Sequence, residues 1–354
     1  MKKIKVFLGG YTNYTNAQNL NCRAIAQHLD KSKFEVYTLE LHNGQLPGIK
    51  AATLVKVFTC FKPVRISQYL GFLWGIWNCD VAYLPKHELW RFNRFLLKCF
   101  HKKSFSTMEG ILDDDNMASG ISILGSKEEV LAAKTYVSRI YSITSFLSDY
   151  NFAHHQIKAA PVILYLGCET SSFVNQAVRT GGLKNIAYIG RLKKRKGIYD
   201  FLAVAAHFPQ LNFHIFGDGE ELNSIEKQVK DLLPNVQLKG VVSHESLAQH
   251  LSGIDLHILP SRTEGFPKVI LETGAAGVPS ILYGDYGAKE WITPGLNGWI
   301  VKNVNDIIEV VATLVQHPAQ LRAVSLEAEK LTASFDWKVR IKTWEKVIIQ
   351  LNNE

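Results

Sequence analysis

The sequence predicts an α/β protein of two Rossmann-like domains, on three observations. Short apolar runs of strand length alternate with helix-length segments along the chain. At 354 residues the chain exceeds what one average core holds. Between the halves, residues 169–184 are polar, lack strong periodicity and end in Gly181-Gly182, which reads as a hinge. The first domain is expected over 1–170 and the second over 171–335, and an amphipathic helical pattern from about 336 to 351 closes the chain.

In order, strand-like runs in the first half fall at 3–8, 35–41, 80–84, 104–108, 140–144 and 162–166. The opening M-K-K-I-K-V-F-L-G-G starts like a signal peptide, but its apolar run stops within a few residues and polar Y-T-N-Y-T-N follows. It is read as a first buried strand. Residues 66–79 are the most apolar internal stretch and are too short to span a bilayer, so no membrane crossing is expected. In the second half the runs are 186–190, 212–216, 236–239, 255–259, 280–283 and 298–301. Runs of this length with helices between them fit buried parallel strands joined by right-handed crossovers.

The chain is 47% hydrophobic and 20% charged, ordinary for a globular protein with a buried core. Five cysteines without a C-x-x-C pair or metal-ligand spacing fit reduced, mostly buried thiols in a cytoplasmic protein. The net charge is +8, and its distribution is uneven. Residues 1–170 carry 20 basic and 13 acidic side chains, against 20 and 19 in the remainder. Residues 50–105 alone hold ten basic groups and two acidic ones, Asp80 and Glu88. A local surface facing something anionic is implied.

Two motifs carry chemistry. The first is E-G-F-P-K-V-I-L-E, residues 264–272, which follows a strand and a turn. Glu264 is expected beyond the strand's carboxyl end, where open α/β sheets bind ligands. Gly265 permits close backbone approach, and Pro267 suits a first helical position, whose unpaired amides attract negative charge or sugar oxygens. Glu272 is expected in the second turn and can accept two hydrogen bonds, as vicinal ribose hydroxyls require. It either points to solvent or, given the apolar Val269, Ile270, Leu271, Ala275 and Ala276 around it, sits in a buried helix and needs partners. The second motif is I-G-R-L-K-K-R-K-G, residues 189–197. Arg191 leaves a strand and Lys196-Gly197 opens the next helix, so the two cations converge as a diphosphate needs, or the run is a solvated face. Gly9-Gly10, after the first strand, lacks the full G-x-G-x-x-G pattern but allows close passage to a phosphate or sugar.

Together, residues 190–301 resemble the donor-binding domain of the glycogen-synthase-like group 1 retaining glycosyltransferases, which have the GT-B fold. The matching elements are Gly190-Arg191-Leu192 with Lys196-Gly197, F-G-D-G-E at 216–220, L-K-G-V-V-S at 238–243 and L-P-S-R-T-E-G-F-P-K-V-I-L-E at 259–272. A-A-G-V-P at 275–279, Gly287 with Glu290, and N-G-W-I-V at 297–301 complete the series. The resemblance implies two Rossmann-like domains facing across a cleft, the closing helix of about 336–354 returning to the first. It implies that Arg191 and Lys196 hold the diphosphate of a nucleotide-sugar donor beside Gly190 and Arg262. Glu264 would contact the transferred sugar, aided by the backbone of Gly265, Phe266, Pro267 and Lys268. Glu272 would bind the ribose, and backbone at 239–242, including Val242, the base. No cofactor or divalent metal is implied, since two cations and a helix dipole serve the leaving phosphate.

The first half departs from the family. Where the family carries His-Gly after a strand ending near 108, this chain has S-T-M-E-G, placing Glu109 in the histidine position. Glu109 either takes over a sugar or acceptor contact or is a loop acid. Glu169 stands where the family has Asp. Asp113-Asp114-Asp115 is read as a solvated run, and His87, His154 and His155 show no metal-ligand spacing. The basic, aromatic residues 58–105 either lie on an anionic membrane, bringing the site to a lipid-linked acceptor, or pack their aromatic face on the sheet. The expected activity is transfer of a sugar to a glycan or lipid-linked acceptor for surface polysaccharide or glycolipid, at the cytoplasmic side and peripheral to the membrane. No nucleic-acid partner is expected. The alternatives are a sugar-nucleotide epimerase of the same architecture and a catalytically degenerate binding subunit.

Overall fold

The computed structural model describes residues 2–49, 54–173, 181–284 and 286–354. It divides into two compact units, Met1–Leu166 with Trp337–Glu354, and Gly167–Asp336. Of the expected hinge at 169–184, residues 174–180 lie outside the described residues.

The strands of the first unit are β1 (Ile4–Tyr11), β2 (Phe34–Leu41), β3 (Lys56–Cys60), β4 (Val81–Tyr83), β5 (Lys103–Met108) and β6 (Arg139–Ser142). They form one sheet in the order β3-β2-β1-β4-β5-β6, with every neighbouring pair parallel. Helices α1 (Ala17–His28), α2 (Val64–Asn78), α3 (Trp90–Cys99), α4 (Asp114–Leu124) and α5 (Lys127–Thr135) lie in connections between strands, and α6 (Ser145–His155) follows the last strand. Several caps were written locally. Asn16 accepts from the Asn19 amide at the start of α1, and Ser126 and Thr144 do the same for α5 and α6. Asp113 caps α4 by accepting from the Asn116 amide at 2.9 Å, and Asp114 and Asp115 occupy the first turn, where the helix dipole favours them. The acidic run thus has a structural role.

Three expectations in this unit are corrected. Strand β3 carried no signal because it is an edge strand whose Lys56 and Thr59 are exposed, so the apolar run is broken. The run at 162–166 forms no strand; a single bridge joins Ile163 to Ser142, and Leu164 and Leu166 are buried without extended pairing. Gly9 and Gly10 lie inside β1, at a register shift, and not after it. A Cβ at Gly9 would stand 2.7 Å from Leu84 Cδ2, and one at Gly10 2.7 Å from Cys22 Sγ, so tight packing accounts for both glycines.

The second unit holds β7 (Asn185–Ile189), β8 (Asn212–Phe216), β9 (Val236–Gly240), β10 (Leu256–Leu259), β11 (Ser280–Tyr283) and β12 (Trp299–Val301). Its sheet is also parallel, in the order β12-β11-β10-β7-β8-β9. Helices α7 (Ile198–His207), α8 (Leu222–Leu232), α9 (His244–Leu251), α10 (Val269–Ala275), α11 (Val304–Gln316) and α12 (Pro318–Ser334) surround it. Its main core centres on Tyr188, Phe201, Phe213 and Ile258 from strands and the first helix. In both sheets the strand order reverses beside the first strand, which sets a switch point between β1 and β4 and another between β7 and β10.

The chain closes with α13 (Trp337–Asn353), which belongs to the first unit and packs on β1, β4 and β5. Trp344 is fully buried there, its ring 5.3 Å from Tyr83 and 6.2 Å from Phe105. Its indole N–H donates to the Tyr165 carbonyl at 3.2 Å. Four cysteines are buried and Cys99 is exposed; all five are free thiols. Among the described residues no helix is long and apolar enough to cross a membrane.

Candidate active site

The loops after β7, β8 and β10 are stitched together at the switch point of the second sheet. Gly197 caps α7 with φ +72°, and a Cβ there would lie 1.9 Å from the Pro260 carbonyl oxygen. Gly217, at φ +136°, meets the Gly190 carbonyl just as closely, and only glycine fits either place. Main-chain bonds complete the join: Gly190 N to Phe216 O, Leu192 N to Asp218 O, and Arg262 N to Arg195 O, all 3.0–3.1 Å. The buried Tyr188 hydroxyl donates to the Arg191 carbonyl at 2.8 Å and props the loop from below.

This scaffold brings Lys196 and Glu264 into direct contact. The ammonium donates to Glu264 Oε1 at 2.5 Å and to the Thr263 carbonyl at 3.3 Å, with side chains 19% and 15% exposed. Arg191 does not join them; its exposed guanidinium has no partner among the described residues. The contact across the two loops is therefore one of cation and carboxylate. An ion pair this sheltered holds both groups in fixed positions, ready for exchange with a charged or hydroxylated ligand.

The rest of the E-G-F-P-K segment divides by role. Phe266 turns inward, its ring 5.0 Å from Trp291 and 5.6 Å from Phe335. With that anchor, helix α10 begins at Val269, two residues later than Pro267 suggested, through a tight turn in which the Pro267 carbonyl accepts from Ile270 N at 3.1 Å. Gly265 and Lys268 remain half-buried on the turn. Arg262 is occupied elsewhere. It lies over the Tyr283 ring at 4.0 Å, 3.7 Å from Asp200, and donates to the Lys302 carbonyl at 3.2 Å. Val242 packs against the cluster of Phe216, Leu247 and Leu251.

Glu272 falls in the first turn of α10, not the second, and its side chain is 12% exposed. Burial pushes its pKa above the ordinary glutamate value, although His244, 3.9 Å away, and Lys268 act in the opposite direction. His244 carried no local signal; it reaches the site because α9 starts beside α10. A raised pKa means that ionisation costs folding free energy as pH rises from the usual glutamate range through the raised value. Glu272→Gln is therefore expected to raise the melting temperature of the free protein, with a gap over wild type that widens across that window and closes in acid. Melting curves at several pH values check this; a variant less stable than wild type at neutral pH would mean that Glu272 is held by favourable contacts instead.

In the first unit, Glu109 follows β5 and is no loose loop acid. Its carboxylate accepts from Asn21 Nδ2 at 3.0 Å, Tyr83 OH at 3.2 Å and Thr107 Oγ1 at 2.9 Å. Burial and the neighbouring carboxylate raise the Tyr83 pKa well above its usual value, so the hydroxyl stays a donor. Asn21, Tyr83 and Thr107 come from three different elements, and nothing in their spacing announces that they converge.

Two parallel-sheet units of this topology define the GT-B class of protein. Residues 172–330 match the family described as Glycosyl transferases group 1. Among curated relatives, an uncharacterized glycosyltransferase of Methanocaldococcus jannaschii is 25% identical over 62% of each chain. A GDP-mannose-dependent alpha-mannosyltransferase of Corynebacterium glutamicum is 29% identical over 49% of this chain and 39% of its own. A poly(glycerol-phosphate) alpha-glucosyltransferase of Bacillus subtilis is 27% identical over 46% and 25%. The matched stretch thus spans less than two thirds of each of these relatives. Solved structures extend the likeness of fold along the chain. Anabaena HepE, solved with UDP and glucose, superposes with a TM-score of 0.77 at 14% identity, over 99% of this chain and 100% of its own. Sucrose-phosphate synthase of Thermosynechococcus elongatus gives 0.79 at 15% identity, over 99% of both.

Proposed function

We propose that this protein is a retaining glycosyltransferase that moves a sugar from a nucleotide-diphosphate sugar to a glycan or lipid-linked acceptor in surface polysaccharide or glycolipid synthesis. The observation that carries the reading is the sheltered Lys196–Glu264 pair at the switch point between β7 and β10, with Glu272 buried eight residues on. In this reading a donor diphosphate takes Lys196 from Glu264 and recruits the unpaired Arg191. Glu264, released, accepts hydroxyls of the sugar, and Glu272 accepts those of the ribose. The two cations stabilise charge developing on the leaving phosphate, which removes the acceptor's proton, so the chemistry needs no divalent metal. A relative named as GDP-mannose-dependent and a neighbour solved with UDP and glucose support a nucleotide-linked donor.

The test is thermal stabilisation by UDP, GDP, ADP and TDP, followed by donor hydrolysis with and without EDTA. One nucleotide should raise the melting temperature, and its sugar should be released slowly and equally in EDTA. No stabilisation by any of the four, or an epimerised sugar in place of a released one, overturns the reading.

We also propose that α2 and α3 lie on an anionic membrane. Trp90, Leu96 and Leu97 are buried, while Phe95 and Trp77 are 60% and 61% exposed and Arg94 and Lys98 are exposed on α3, which supports this reading. Co-sedimentation with phosphatidylglycerol vesicles at low salt should be lost in Arg94→Glu/Lys98→Glu; binding unchanged by that variant sinks the proposal.

A further inference from the structure

The first unit contains a cavity of about 650 Å³ that plays no part in the site above. It opens at the carboxyl ends of β4 and β5, between the segment that starts α3 and helices α4 and α5. The lining is largely apolar, with Trp90, Phe92, Leu112, Leu124 and Val130 among it. Its size is that of a pocket for a small organic ligand.

Polar groups interrupt that lining, and one of them stands without a contact. Lys134, half-buried in the last turn of α5, has no hydrogen bond or ion pair among the described residues. Burial lowers its pKa, only partly offset by the charge of Glu109. The other charged groups on the wall are already matched: Glu88 with Lys86 at 3.1 Å and Arg91 with Glu129 at 2.8 Å. Burial, reinforced by Lys134, pushes the His87 pKa down to about 3, so this ring is neutral at neutral pH and offers Lys134 no negative charge. A sheltered cation with no anion in contact is unfavourable in an empty apolar pocket, and one anionic group would satisfy it.

We propose that this cavity binds an amphiphile with an anionic headgroup: its chain along the apolar wall and an anionic oxygen on Lys134. The mouth argues that it comes from a membrane. Ile123 at the opening is 80% exposed, and exposed Tyr69 and Arg91 belong at once to the pocket and to the α2–α3 surface. In the reaction proposed above the occupant is the acceptor, an identification that rests on that reading; the binding itself does not.

Calorimetry on the full chain tests it with decyl phosphate, decyl glucoside and inorganic phosphate, each below any micelle threshold. Decyl phosphate should bind about tenfold or more tighter than decyl glucoside, and inorganic phosphate should show no measurable binding. Lys134→Met should erase the preference for the phosphate head while keeping affinity for decyl glucoside, and Ile123→Glu, at an exposed position, should weaken both. Inorganic phosphate binding as tightly as decyl phosphate overturns the proposal, and so does a preference that survives Lys134→Met in a folded variant. Stabilisation by nucleotides reads the second unit alone, so its failure would sink the transferase reading and leave this one standing.

Discussion

Glu264→Gln is expected to lower donor turnover by about 100- to 1000-fold, the usual cost of removing one group that stabilises a transition state, while nucleoside diphosphate affinity stays the same or improves. The split follows from the geometry of the free protein. Glu264 holds Lys196 at 2.5 Å, so a diphosphate must first displace the carboxylate. Glutamine fills the same space but attracts the ammonium less, which leaves Lys196 readier for phosphate. The sugar contact, by contrast, loses its charged acceptor. Lys196→Met has the opposite signature. It removes the phosphate contact and strands a sheltered carboxylate, so nucleotide affinity falls and the second unit loses roughly 1.5–3 kcal/mol, the range for a hydrogen bond to a charged group. Single-turnover kinetics and nucleotide titrations on both variants separate these outcomes. Unchanged turnover in Glu264→Gln removes Glu264 from the site.

The second unit was readable because its information is local. Apart from the edge strand β9, its strands are short, largely apolar runs, and strands buried in a parallel sheet need nothing subtler. The loops that carry Lys196 and Glu264 were readable from their motifs, although the glycines at 197 and 217 are demanded by backbone contacts with other loops, at Pro260 and Gly190. What the sequence could not convey are choices made by distant partners. Arg191 and Arg262 look alike as loop arginines, yet Tyr283, Asp200 and the Lys302 carbonyl claim one and leave the other exposed. Glu109 is surrounded by donors from positions 21, 83 and 107, and Lys134 and His87 meet only because α5 folds over the end of β4. Gly9-Gly10 differs in place: the sequence puts the pair after the first strand, but β1 continues through it and neighbouring side chains stand close to both glycines.

The largest expected effect on stability lies far from either motif. Trp344→Ala should destabilise the first unit by about 3–5 kcal/mol, the range for deleting a fully buried large aromatic side chain. The indole stands between Tyr83 of β4 and Phe105 of β5, at the centre of the sheet, and its N–H is bonded to Tyr165. Alanine leaves a cavity against two rigid strands that cannot collapse into it, and strands the Tyr165 carbonyl. Helix α13 would lose its main anchor, although Trp337 at its start and the bond from Asp30 N to Glu345 at 2.9 Å at its middle remain. Trp344→Phe keeps most of the apolar surface and forgoes the hydrogen bond, so it should cost well under half as much. Because the helix belongs to the first unit, the loss should appear in the unfolding of that unit, while nucleotide stabilisation of the second persists. Two resolved denaturation transitions, with only one shifted by Trp344→Ala, are the expected result. A shift confined to the nucleotide-stabilised transition would show that α13 supports the other unit instead.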